Sequence, residues 1–126
     1  MTDPVAAALR VFGAYHLGLG LLMVLAPGTF FDALGPFGVR NDHFIRDAAS
    51  FDLPLGALLL LAAARPAWRV PALVFATAHW VLHAVNHLVD IGEADPGWVG
   101  VLDFVALSAG AAILVVTLRA AARAPA

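Results

Sequence analysis

The sequence predicts an all-α protein, a four-helix transmembrane bundle with a short interfacial helix between the first two spans. Three observations carry this. The chain of 126 residues is 62% hydrophobic and 13% charged, with a mean hydropathy of +0.88. A soluble domain is about 45–50% apolar and about 25% charged. The apolar residues fall into four stretches near the roughly 20 residues that cross a bilayer. Gly, Pro and charged residues punctuate the chain between these stretches. The lipid bilayer is therefore the expected solvent, and residues 1–126 are expected to form one integral membrane domain.

The first span is expected over about 5–26, interrupted by Arg10 and His16 and stopped by Pro27-Gly28. It is expected to be kept rather than cleaved, because its start lacks lysine and no small-x-small site precedes Pro27. Thr29 is placed to cap a short helix running to Leu34, with Phe30, Phe31 and Leu34 on its apolar side and Gly35-Pro36 as its end. The second span is expected over about 42–64, capped by Asn41 or Asp42, with Pro54 kinking it beside Asp52. Arg65 to Arg69 form a tight turn with Trp68 at the interface. The third span, about 70–90, tolerates Pro71 in its first turn. The fourth, about 98–118, is rich in Gly, Ala and Val. Gly100, Ala106 and Gly110 lie near its Asp103 face, and Gly13, His16 and Gly20 share a face of the first span. Small residues let helices approach closely, so these faces suit helix pairing or a homo-oligomer.

Arginine placement sets the orientation. Arg10, Arg65, Arg69, Arg119 and Arg123 fall on the side of the termini, against Arg40 and Arg46 on the other. The excess predicts a multi-pass protein of the cell membrane with both termini cytoplasmic.

The polar residues inside the spans are the functional signal. His79, His83 and His87 recur every four residues and line one helix face. At about 1.5 Å rise per residue, Asp52, Asp103 and His83 lie about 6–10 Å inside the outer ends of their spans, and His16 and His79 about 15 Å inside. Each span thus contributes an ionisable group to the outer half. A carboxylate in hydrocarbon costs several kcal/mol unless paired or protonated, so four such groups suggest a shared site. The expected site is a funnel open to the outside, floored by His16 and His79 and walled by Asp52, His83 and Asp103. The plain alternative is hydrogen-bonded packing for each histidine, with Asp52 paired to Arg46 or His83. Trp80 and Trp98 read as interface anchors.

Several function classes are excluded. There is no cysteine, hence no disulfide, thiolate ligand or cysteine nucleophile. The net charge is −2 with no basic run, so nucleic acid is not an expected partner. The leading expectation is metal-ion or haem binding. His79, His83, His87 and Asp103 would hold a divalent transition metal (zinc, iron or copper), or His16 and His79 a haem. The second is acid–base catalysis (isomerisation, hydration or cyclisation) on a lipophilic small molecule, with Asp52, Asp103 and His83 as the catalytic groups. The third is a carrier, or a small subunit of a larger membrane complex.

At His43-Phe44-Ile45-Arg46-Asp47, then Phe51-Asp52-Leu53-Pro54-Leu55-Gly56, the chain resembles the small four-helix membrane proteins grouped as DoxX-like. His79 to Asp90 and Trp98 to Asp103 are similar to that group as well. The resemblance covers most of the chain and implies four helices. It implies no activity and no site residue.

Overall fold

A computed structural model describes residues 3–124. Residues 1–2 and 125–126, the ends of the expected domain, lie outside the described residues. The chain forms α1 (Pro4–Leu25), α2 (Pro27–Leu34), α3 (Asp42–Ala64), a 3-10 turn at Pro66–Trp68, α4 (Arg69–Val89) and α5 (Trp98–Arg123). Four of these helices are long and apolar enough to cross a membrane.

Local chemistry sets the boundaries. The Asp3 carboxylate accepts the Ala6 amide at 3.0 Å and Pro4 occupies the first turn, where its missing N–H costs nothing. The Asn41 side chain caps α3 by accepting the Phe44 amide at 3.1 Å. α2 starts at Pro27 rather than at the expected Thr29, because a proline at the first position is already in helical φ. α3 continues through Pro54 to Ala64. α5 runs five residues beyond the expected 118, since Arg119 to Arg123 is an alanine-rich stretch with no helix breaker.

The helices pair as two hairpins. α1 packs along α3 and α4 along α5, and the pairs join less extensively through α3–α4 and α1–α5. A methyl added at Gly56 would sit 2.8 Å from the Leu17 nitrogen and 2.9 Å from the Gly13 carbonyl oxygen, so α1 and α3 touch backbone to backbone. The Gly13–Gly20 face is therefore spent inside the bundle, where Gly20 meets Leu53, and is not left for a second copy.

The two halves of the bundle differ. Toward the termini, Leu9, Leu59, Leu73 and Leu114, one from each spanning helix, are all 0% exposed and close the interior. Asp3 pairs with Arg69 at 2.7 Å at this end, joining the start of α1 to the start of α4. The Ala6 amide, and secondarily Arg69, hold the Asp3 carboxyl below its ordinary value. Toward the opposite end, α2 and the segment from Gly35 to Arg40 cross the bundle. That segment is tied to the α4–α5 turn by a Phe37–Ala94 bridge, with the Asp95 amide donating to the Pro36 carbonyl at 3.1 Å. Large apolar side chains such as Val11, Leu25, Leu82 and Val116 face outward, as lipid requires.

Two outcomes are expected. Gly56→Ala forces α1 and α3 apart and lowers the melting temperature in detergent, whereas Gly18→Ala, with open space around it, leaves it unchanged or raises it. Asp3 has a lowered folded pKa, so its contribution is present above the unfolded value near 3.8 and is lost as pH falls through the lower folded value. The stability difference between wild type and Asp3→Asn, read by thermal unfolding, should therefore be constant near neutrality and vanish in strong acid.

Candidate functional site

The spans meet around a buried hydrogen-bonded chain. His16 on α1 is 2% exposed and Asp52 on α3 is 8% exposed. Their Nδ1 and Oδ1 atoms lie 2.6 Å apart. The Trp80 indole N–H on α4 donates to His16 Nε2 at 3.0 Å. Indole nitrogen can only donate, so Nε2 must be the accepting nitrogen and Nδ1 the one that carries the proton. The hydrogen-bond geometry thus assigns a neutral His16 that donates from Nδ1 to the Asp52 carboxyl group.

Each member sits where its helix requires. Trp80 belongs to the Ala72-Ala76-Trp80-Ala84 row of α4, buried residues every four positions. Its six-membered ring presses on α5 at Gly110, where any side chain would collide with it. Phe12 meets the indole edge-on at 5.0 Å between ring centres. The expectation of Trp80 as an interface anchor is corrected: it is 7% exposed, its N–H spoken for by His16, whereas Trp98 is 64% exposed. Asp52 is paired with neither Arg46 nor His83. It lies ten positions beyond Asp42, about 15 Å along the axis, which lowers it from the wall to the floor beside His16.

Turned about 100° from the Trp80 row, the neighbouring face of α4 carries His79, His83 and His87. Successive ring centres are 5.5 and 4.8 Å apart. His83 Nε2 and His87 Nε2 are within hydrogen-bond distance at 3.1 Å. His87 Nδ1 faces Asp103 Oδ2 at 3.9 Å, beyond hydrogen-bond reach, and both atoms are buried without a partner. An ionised Asp103 favours the His87 tautomer with its proton on Nδ1. Nε2 then accepts, and His83 donates.

All these groups open on one cavity of about 470 Å³. His16, Asp52, His79, His83, His87 and Asp103 line it together, so the polar residues of all four spans converge. Apart from Asn41, the rest of the lining is apolar or aromatic, with Tyr15, Phe30, Phe31, Phe37, Phe44 and Trp80 among it. Among the described residues no lysine or arginine lines it. Tyr15 and Phe37, absent from the sequence reading, stack edge-on against His16 and His87 with ring centres 5.3 and 4.9 Å apart. Phe37 lies fifty positions from His87 with no local pattern linking them.

The expected metal centre is not assembled. Among the described residues no three His, Asp or Glu side chains are grouped to hold an ion. His79, His83, His87 and Asp103 form a file along one wall rather than a sphere of ligands. The expected haem ligand His16 has both ring nitrogens engaged, by Asp52 and by Trp80. No family model, characterised protein or solved structure matches the chain.

The Trp80 assignment has a direct consequence. Trp80→Phe keeps the ring packing but strands the His16 acceptor, at a cost of about 1–3 kcal/mol. Asp52→Leu leaves the His16 N–H without an acceptor and should cost more than Asp52→Asn, which keeps an oxygen there. Chemical or thermal unfolding of the variants in the same detergent ranks them.

Proposed function

We propose that this is a multi-pass protein of the cell membrane that binds an uncharged lipid-soluble molecule and moves protons at its polar group. The arginine excess at the end holding both termini supports a cytoplasmic location for them. Kinship with the DoxX-like group belongs to the same proposal and is supported by the residues that carry the resemblance.

The observation that carries the reading is the pairing of the His83–His87–Asp103 file with an aromatic cavity of about 470 Å³. That volume lies within the range of about 300–1,000 Å³ common for small-molecule sites. The lining supplies carboxylates and imidazoles but no resident cation, so a fatty acid or a phospholipid phosphate would bring an anion with nothing to meet it. A molecule with an apolar body and a neutral hydroxyl or carbonyl suits the walls. Proton transfer needs a group whose free lone pair faces the ligand, held by a second group that stabilises the charged form. His83 is the first, with His87 and Asp103 behind it. Isomerisation is the simplest such reaction, since a proton removed from carbon is returned to it. The His16–Asp52–Trp80 chain has no free nitrogen and serves as the floor.

Purification into lipid nanodiscs, solvent extraction and mass spectrometry should recover a neutral lipophilic molecule in stoichiometric amount. Incubated in D₂O, that molecule should gain carbon-bound deuterium, and Asp103→Asn or His83→Gln should slow the gain by about 10²–10⁴-fold with the fold intact. An empty pocket in every preparation, or labelling indifferent to both substitutions, would overturn the reading.

A further inference from the structure

His79 takes part in neither hydrogen-bonded chain. It lies on α4 one turn from His83, toward the floor of the same cavity. Its ring is held on three sides, by Phe51 of α3 at 4.8 Å between ring centres, by His83 at 5.5 Å and by His16 of α1 at 5.8 Å. No carboxylate pairs with it, since Asp52 is bonded to His16 and Asp103 faces His87. Among the described residues neither of its ring nitrogens makes a hydrogen bond, and neither is closed off as His87 Nδ1 is. An unpaired charge that deep in a bilayer is costly, so His79 is a neutral imidazole with one N–H to give and one lone pair. Lipid tails offer that N–H no acceptor, and a molecule in the cavity can.

We infer that His79 donates its N–H to a carbonyl oxygen of the bound molecule and meets the charge that grows there when His83 takes a proton from the adjoining carbon. The inference rests on the reading of the large cavity as an acid–base site and names its substrate class, a lipophilic ketone or enone. Imidazole is a weak base. An alcohol or an isolated alkene has no carbon-bound hydrogen that such a base can take, whereas a carbonyl acidifies the carbon beside it. The oxygen that receives the charge needs a donor already in place. With no lysine or arginine among the described lining residues, that donor is a neutral N–H, a role a neutral imidazole can fill. Oxygen and hydrogen of one carbonyl unit are a few bonds apart, so donor and base have to face the same space side by side. Successive turns of one α4 face do this. Tyr15 is the other deep group whose polar atom has no partner, but it stacks on His16 and Trp80, at 5.3 and 5.6 Å between ring centres, rather than on His83. The step balances. The C–H bond breaks as His83 Nδ1 gains the proton, and its electron pair moves through the new C=C bond onto oxygen. The proton then returns from His83 to the same carbon, or in an enone to the far end of the conjugated system. No electron leaves and no further reactant is needed.

The probe is 2-nonanone with a ¹³C carbonyl, added to the protein in lipid nanodiscs in D₂O. Carbon NMR should show the bound carbonyl moved downfield from its position in lipid. Mass spectrometry should show deuterium entering the carbons beside it. The cavity is open at exposed Val39 and Phe44, so deuterium reaches His83. His79→Phe keeps a ring against Phe51 and removes the donor. It should cut the saturating exchange rate by about 10²–10³-fold, the effect of losing one oxyanion donor, with little change in the half-saturating concentration. His79→Gln restores an N–H and should recover part of the rate. Exchange undiminished in folded His79→Phe, or lost in Tyr15→Phe and kept in His79→Phe, overturns the assignment. Should His79→Phe not fold, an unshifted carbonyl in the ketone-loaded wild type overturns it alone. No exchange above the rate in empty nanodiscs overturns the carbonyl class, while labelling of the molecule recovered from the protein still decides the acid–base reading by itself.

Discussion

A carboxylate held in the middle of an apolar bundle is the constraint from which much else follows. Asp52 needs a donor, and α1 supplies His16 at 2.6 Å. His16 then has a second nitrogen with nothing to accept from, and α4 supplies the Trp80 N–H. An indole that deep needs room, and α5 makes it with Gly110. For His16 to reach Asp52 at all, α1 and α3 must touch, which Gly13 and Gly56 permit. One buried charge therefore dictates a residue on every spanning helix. In lipid, where apolar burial gives helices little reason to associate, close packing and such hydrogen bonds specify the partners.

The bundle carries two chains of the same form, a carboxyl group, an imidazole and an N–H donor. In Asp52–His16–Trp80 the last member never titrates, and the chain is short, buried and closed. In Asp103–His87–His83 the last member is itself a base, the carboxylate stands off at 3.9 Å, and two atoms are left without partners. Unsatisfied buried polar atoms are uncommon and tend to mark a place that does something other than hold the fold together. In the proposed function the first chain is scaffold and the second does the chemistry. The leucine layer toward the termini supports the same division, because it closes the bundle on the side that carries no polar path.

Much of this was readable from residue order. The four spans follow from length and hydropathy, and α3 follows to its last residue because Asn41 caps it and Arg65-Pro66 ends it. Convergence of His16, Asp52, His79, His83, His87 and Asp103 follows from the cost of burying each alone. The errors share a cause. Trp80 looked like an anchor because tryptophan favours interfaces, yet the alanine row on either side of it marks a packed face. Gly13 and Gly20 looked free to pair with another copy, because sequence shows that a face is small but not what covers it. The metal centre failed because spacing of four places rings on one face without turning their nitrogens to a common point.

By itself the sequence determined that the chain forms four helices long and apolar enough to cross a membrane, both ends of α3, and that the ionisable groups crowd toward one end. Periodicity and the price of charge in hydrocarbon are local properties, legible one segment at a time. Only the tertiary structure decided which carboxylate meets which histidine, that Trp80 settles the tautomer of His16, and that Phe37 stands edge-on to His87. Those are contacts between side chains distant in sequence, set by the depth and rotation of each helix. A single residue of rotation turns a side chain by about 100°, more than any reading of helix ends can resolve.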